Sequence, residues 1–150
     1  MSAVLRLTLS TPSAVLVDRA DVVSLRAEDR SGGFGILPRH ADFLTVLPAS
    51  LLRWRCADGA EWFCALGSGV LRVSGGGRAV SVACRQATLA ETLAGLGPQI
   101  AALRAAEREA TSAARVEQIR MEARAVRQLQ RLLRPGPAEP GFSAHGETPR

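Results

Sequence analysis

Lysine is missing from this chain: all nineteen of its basic residues are arginine. That absence excludes a Walker-type phosphate loop, which needs a lysine directly after its glycines, even though Ser74-Gly75-Gly76-Gly77 has the right look. Schiff-base chemistry is excluded with it. Aromatic residues make up only 4% of the chain, and the tryptophans fall in an apolar hairpin, so no stacking platform for bases stands beside the arginines. Cys56, Cys64 and Cys84 are an odd set with no C-x-x-C pair and no histidine at metal-ligand spacing, which predicts buried structural thiols. No stretch approaches the roughly 20 apolar residues that cross a bilayer. The start Met-Ser-Ala-Val-Leu-Arg-Leu lacks the parts of a secretory signal, so the protein is expected to stay in the cytosol.

The formal net charge of +5 over 150 residues is unevenly spread. Residues 1–88 hold ten arginines against seven acids, and residues 89–134 hold eight against five. The densest part runs from Thr111 to Arg134, with Arg115, Arg120, Arg124, Arg127, Arg131 and Arg134 against Glu117 and Glu122. Such a face suits nucleic acid, anionic lipid or an acidic protein surface, or is simply solvated; charge alone does not choose.

What the chain does hold is a stretch from Gly32 to Leu47 on which the rest converges. Gly32, Gly33 and Gly35 are expected to supply backbone angles that let Phe34 and Ile36 point into a core beside a sharp turn. Pro38 fixes its own φ and biases Leu37 towards extended structure. His40 falls on the outside of the bend beside Arg39 and Asp42, and Phe43, Leu44, Val46 and Leu47 resume an apolar run. A glycine-shaped loop with charge at its tip is built for docking.

Around it the chain reads as short strands. Leu5, Leu7 and Leu9 alternate with Arg6 and Thr8, the period of a half-buried strand. Ala14–Val17 and Val22–Ala27 read as two further runs, separated by a polar turn at Asp18-Arg19-Ala20-Asp21. Leu51–Cys56 and Ala60–Leu66, joined at Asp58-Gly59, predict a hairpin with a two-residue turn. With Ala57 facing Ala60, Trp54 falls opposite Phe63; Leu52, Trp54, Phe63 and Ala65 then share the core face, and Trp62 lies opposite Arg55, placed to stack on it. Val70–Val73 and Ala79–Cys84 form a second hairpin across the Ser74–Gly77 turn.

After Leu89 the period changes to that of helices. Pro98 suits a first helical turn, and Ile100, Leu103, Ala106 and Ala110 fall at helical spacing. Thr111-Ser112 reads as a break, and Val116, Ile119, Ala123, Val126, Leu129 and Leu133 stripe a second helix. The expected architecture is α+β: an all-β sandwich over 1–88, a two-helix hairpin over 89–134, and a disordered, proline-rich tail over 135–150.

No catalytic constellation appears. His40 has no nucleophile or carboxylate partner in sequence, Gly67-Ser68-Gly69 lacks the spacing of a nucleophile elbow, and the acids are scattered singly. The chain is expected to hydrolyse nothing by itself and to need no cofactor or metal. A generic β-sandwich interaction module with a dimerising helical tail and a basic nucleic-acid-binding protein stand as alternative readings.

The run Gly33-Phe34-Gly35-Ile36-Leu37-Pro38-Arg39-His40-Ala41, with Leu44, Thr45 and Leu47, closely resembles the signature of the epsilon subunit of F-type rotary ATP synthases. That family usually has glycine where this chain has Arg39. Leu66-Gly67-Ser68-Gly69-Val70-Leu71-Arg72-Val73 is similar to a second family segment, and the helix end from Val126 to Pro135 resembles the alternative, often sodium-linked, bacterial variety. The resemblance implies a non-catalytic central-stalk subunit, peripheral on the cytoplasmic face of the inner (plasma) membrane. Its implied partners are the gamma subunit and the c ring of the membrane sector, with the alpha/beta catalytic head as a further candidate and no nucleic acid. It implies docking through Arg30, Ser31, Gly33, Phe34, Gly35, Pro38, Arg39, His40 and Asp42. It also implies a regulatory arm carrying Arg115, Arg120, Arg124, Arg127 and Arg131 that could restrain ATP hydrolysis. Some relatives bind ATP through a D-x-x-R-A segment in the first helix; this chain has no such segment, and no ATP site is implied.

Overall fold

The computed structural model describes residues 3–134 and 136. Its strands are β1 (Leu5–Ser10), β2 (Val15–Asp29), β3 (Gly32–Ile36), β4 (Phe43–Leu47), β5 (Ser50–Cys56), β6 (Glu61–Leu66), β7 (Gly69–Ser74), β8 (Ala79–Cys84) and β9 (Ala87–Ala90), followed by one helix, α1 (Leu96–Leu132). They pair in the order β4-β7-β8-β1-β2-β5-β6-β9, with β3 also on β2. All pairs are antiparallel except β1 with β8. The strands form a β-sandwich, closed because the alternate residues of each strand are apolar and meet in one core. Leu5, Leu7 and Leu9 of β1, Leu71 and Val73 of β7, Val80 and Val82 of β8, and Leu52 and Trp54 of β5 are all buried there. The three cysteines are free and buried, as their contexts predict, and burial pushes the Cys64 thiol up to about 12.

β2 is one strand of 15 residues, not two runs with a turn between them. The polar stretch Asp18–Asp21 stays extended because its charges are satisfied across and along the strand. Arg6 of β1 donates to both carboxylate oxygens of Asp18 at 2.8 Å, and Arg19 pairs with Asp21 at 2.8 Å. Register shifts against β1 and between Val22 and Ser24 against β5 add local twist. β2 can therefore pair with β1 along its first part and with β3 and β5 along its second.

The β5–β6 hairpin closes with a loop one residue longer than the expected two-residue turn. Cys56 N–H donates to Ala60 O at 2.9 Å and Gly59 N–H to Cys56 O at 3.0 Å, with Gly59 at φ 86°, which makes a three-residue loop. Trp54 consequently faces Trp62, Arg53 faces Phe63, and Arg55 pairs with Glu61 at 2.7 Å instead of stacking on Trp62. A one-residue slip exchanges the faces of a strand. Cys64 and Leu66 enter the core, while Ala65 is buried beneath α1, in a groove it shares with Ala87, Ala102, Leu103 and Ala106.

α1 is a single helix of 37 residues, and the expected two-helix hairpin is not formed. Thr111 does not break it, because its hydroxyl donates to Glu107 O at 2.8 Å and is satisfied inside the helix. From Gln99 to Leu132 there is no glycine or proline, and alanine, arginine and glutamate favour continuation. Pro98 does lie in the first turn, after Gly95 at φ 88°. The chain divides into a unit ending at Thr111 and a second beginning at Ser112. The strand region itself runs to Ala90, two residues beyond the expected boundary, and the expected tail over 135–150 lies outside the described residues apart from Gly136.

Within the first unit, α1 clasps the backbone of one residue, Ala49, in the β4–β5 connection. Arg104 Nε donates to Ala49 O at 3.1 Å, and Glu107 Oε2 accepts from Ala49 N–H at 2.9 Å. Ala49 lies between β4 and β5 and outside both, so the helix supplies hydrogen bonds to its N–H and C=O. Glu107→Ala should therefore speed amide hydrogen exchange at Ala49 by about tenfold, with little change at β7 and β8. Unchanged protection at Ala49 would show that the clasp carries no stability.

Candidate docking surface

The glycine stretch forms β3 and a bend. Leu37 O accepts from His40 N–H at 3.1 Å, with Pro38 at the second position of the turn and Arg39 at φ 70° at the third, the angles of a type II turn. Arg39 is the single non-glycine residue with positive φ among the described residues, so this chain holds in left-handed geometry an arginine where the resembled family has glycine. Of the glycines at 32, 33 and 35, Gly32 alone has positive φ, at 124°. Gly33 and Gly35 are extended, and a Cβ on Gly35 would meet only Leu25 O, at 3.8 Å. The conformational demand thus lies at Arg39 and Gly32 and not at Gly35.

The bend is held from outside by the β7–β8 turn. Gly76 N–H donates to Asp42 Oδ1 at 2.8 Å. Gly77, at φ 80°, packs so closely that a Cβ there would overlap the backbone nitrogen of His40 and lie 2.6 Å from that of Arg39. Gly75, Gly76 and Gly77 all have positive φ, which lets the turn press its backbone flat against the bend. From the sequence these glycines read only as a hairpin turn; their packing role needs a partner 34 or more residues away in the chain.

Behind the bend, aromatic rings fill the space between β3 and β4. Phe34 meets Phe43 edge-on with centroids 5.7 Å apart, and His40 meets Phe43 at 6.0 Å. His40 Nδ1 donates to Ala41 O at 2.7 Å, so the ring is tied to the loop with no nucleophile beside it. Arg30 and Ser31 form the β2–β3 turn, at the other end of β3 from Arg39 and His40. The Asp29 carboxylate fixes that turn, accepting from Ser31 N–H at 2.8 Å and from the Ser31 hydroxyl, and it ties the turn to β4 by accepting from Thr45 Oγ1 at 2.8 Å. These bonds, led by those from the Ser31 and Thr45 hydroxyls, hold the Asp29 pKa below its ordinary value.

The structure therefore brings Pro38, Arg39, His40 and Asp42 together with the Gly75–Gly77 turn, and sets Arg30 and Ser31 apart from them. Gly33 and Gly35 are exposed on β3, and Phe34 is half-buried. On α1, Arg115, Arg120, Arg124, Arg127 and Arg131 are exposed, and so is the apolar stripe of Val116, Ile119, Val126 and Leu129. Arg120 lies 3.9 Å from Glu117; among the described residues the other four arginines make no ion pair. No group of three His, Cys, Asp or Glu among the described residues is placed to hold a metal, and no helix there is long and apolar enough to cross a membrane.

The sandwich is locked at its loops and carries the exposed Arg39 on a bend held by Gly77 and Asp42. Comparison with known proteins gives the family. The model of the ATP synthase delta/epsilon chain β-sandwich domain matches residues 4–90. The chain is 55% identical over 135 residues to ATP synthase epsilon chain 2 of Paraburkholderia xenovorans, covering 90% of this chain and 96% of that one. It is 47% identical over 133 residues to ATP synthase epsilon chain 2 of Cereibacter sphaeroides, covering 89% of each. The sandwich fold also matches a chain in the cryo-EM structure of the Euglena gracilis mitochondrial ATP synthase, OSCP/F1/c-ring in rotational state 1. The TM-score there is 0.55 at 18% identity, over 58% of this chain and 54% of that one. The chain belongs to the epsilon-chain family of F-type ATP synthases and is not an enzyme by itself.

Arg39→Gly should stabilise the protein by about 1 kcal/mol, since it removes left-handed strain of roughly 1–2 kcal/mol and returns part of that as unfolded-state entropy. Gly77→Ala should cost more than about 2 kcal/mol through overlap with the bend. Denaturant unfolding of both variants measures the pair, and the reverse order of stabilities would contradict the packing. For Asp29, a carboxyl whose folded pKa is depressed contributes stability above its unfolded pKa of about 3.9, and that contribution is lost as pH falls through the folded value. The gap in melting temperature between wild type and Asp29→Ala should thus be widest near neutral pH and narrow on acidification below about pH 4. A gap independent of pH would mean that the carboxylate charge plays no part.

Proposed function

We propose that this chain is the epsilon subunit of the central stalk of an F-type ATP synthase. In this reading it bridges the gamma subunit and the c ring through the sandwich, and restrains ATP hydrolysis through the arginine-rich half of α1. The observation that carries the docking reading is the interlocked bend: Gly77 and Asp42 immobilise the Leu37–His40 turn, leaving the Arg39 side chain exposed on a rigid support. A joint that passes torque needs such stiffness, because a loop that yields dissipates the rotation it should transmit. The two ends of β3 offer separate contact points, Arg30 and Ser31 at one and Arg39, His40 and Asp42 at the other, which suits a subunit that touches two neighbours. Membership in a membrane-associated complex, with no spanning helix among the described residues, supports a peripheral position on the cytoplasmic face of the inner membrane. The helix-end resemblance supports the alternative bacterial variety.

The regulatory reading rests on the second half of α1. Its arginines and its apolar stripe are both exposed, so it has charge and surface to offer an acidic apolar partner, and the alpha/beta catalytic head is the partner we assign. Contacts between exposed charges weaken as salt shortens the Debye length to roughly 10 Å at 0.1 M. In the assembled enzyme, Arg120→Glu, Arg124→Glu and Arg127→Glu together should raise ATP hydrolysis at low salt and have less effect at high salt. His40→Ala in the same preparations should weaken copurification of gamma and c subunits while the sandwich stays folded. A hydrolysis rate that ignores the charge reversal across the salt series sinks the regulatory reading alone. Wild-type assembly of the His40 variant removes His40 from the docking set.

A further inference from the structure

On the outer face of the sheet, Arg26 of β2 lies directly opposite Arg53 of β5. Their strand neighbours Leu25, Ala27, Leu52 and Trp54 turn into the core, so the two arginines share the side facing away from it, Arg26 exposed and Arg53 half-buried. Directly opposed residues of an antiparallel pair hold their Cβ atoms roughly 5 Å apart, and like charges in that position destabilise the sheet. The acids on this face are already engaged: Glu61 pairs with Arg55 at 2.7 Å, and Glu28 lies 4.0 Å from Arg104. Neither Arg26 nor Arg53 makes an ion pair with any described residue. Two guanidinium groups held side by side without a counter-charge in the chain are suited to one supplied from outside. Arg26 is also opposite Gly35 of β3, so no side chain screens it on that flank. The pair lines an open groove of about 460 Å³ with Phe34, Leu51 and the backbone of Gly33 and Gly35.

We propose that this groove receives an acidic segment of a neighbouring subunit, one Asp or Glu carboxylate of which bridges Arg26 and Arg53 while its chain crosses Gly33 and Gly35. Charge complementarity selects the partner, since guanidinium groups present N–H donors in a planar fork that a carboxylate accepts. Phe34 and Leu51 add apolar surface for the rest of the segment. A nucleic-acid backbone, with a phosphate at every step, calls for a longer row of cations than this pair. The groove shares Gly33, Phe34 and Gly35 with the docking set, and the inference rests on that reading; it adds Arg26 and Arg53 to the set and assigns the partner's charge.

The absence of lysine gives a direct test. Arg26→Lys places the chain's single lysine amine at the groove, and a carbodiimide joins an amine to a carboxylate only where the two touch. In the assembled enzyme this variant should yield a cross-link between residue 26 and an Asp or Glu of another subunit, mapped by mass spectrometry. Arg53→Glu sets an opposite charge against Arg26. It should raise the denaturant midpoint of the free chain, yet weaken binding to enzyme stripped of this subunit about tenfold at low salt and less at high salt. A wild-type chain that does not bind the stripped enzyme would defeat the docking reading and this inference together. Wild-type binding by Arg53→Glu, or a cross-link confined to Glu28 of the same chain, overturns the acidic partner and leaves the docking reading in place. Binding of the free chain to phosphatidylglycerol vesicles that Arg53→Glu abolishes, with no subunit cross-link, would assign the pair to a lipid headgroup and overturn it equally.

Discussion

The pairing of β2 on both of its edges is the constraint on which the rest of this fold depends. Its first part carries β1, and through β1 the parallel strand β8, then β7 and β4. Its second part carries β3 on one edge and β5 on the other, and through β5 the strands β6 and β9. Severing β2 would separate the sheet into two pieces. The charged cluster at Asp18–Asp21, which could have folded as a turn, is kept extended by ion pairs on its outer face. Val17 and Val22 meanwhile reach the core from the other face. Register shifts near that cluster provide the coiling that a single strand needs to serve two parts of a closed sandwich.

Stiffness at the glycine bend follows from the same sheet. β4 and β7 pair at the end of the strand order, with Phe43 opposite Val73, so the β3–β4 bend and the β7–β8 turn arise side by side. Three successive glycines then let backbone meet backbone, and Asp42 ties the two loops. An arginine in left-handed conformation can persist there because neighbours on both sides determine the turn around it. The surface that the family resemblance marks for docking is thus rigid by construction, with its side chains free to make contacts. The helix is attached differently: it reaches the N–H and C=O of Ala49 through Glu107 and Arg104, and lays alanines over Ala65 and Ala87.

Much of this was legible in the chain itself. Alternation at Leu5, Leu7 and Leu9 announces a half-buried strand whatever lies beside it, since the period of two belongs to the backbone. The turn residues at Asp58-Gly59 and at Gly75–Gly77 mark hairpins for equally local reasons, and the order of Phe34, Gly35, Ile36, Pro38 and His40 carries the family. The absence of lysine already removed a phosphate loop. What remained out of reach depended on contacts far apart in sequence. The Asp-Gly hairpin admits a two- or a three-residue loop, and the core selected the longer one by taking Cys64 and Leu66 inward; Trp54 was thereby set opposite Trp62. Asp18–Asp21 became strand because Arg6 waited on β1. The helix at Thr111 is the exception, continuous for a local reason: the hydroxyl bonds Glu107 O one turn back. Local chemistry determined which elements this sequence forms, while register, continuity and the close approach of Gly77 to the bend were decided by tertiary packing, since each is a choice between locally similar conformations that only a distant residue makes unequal.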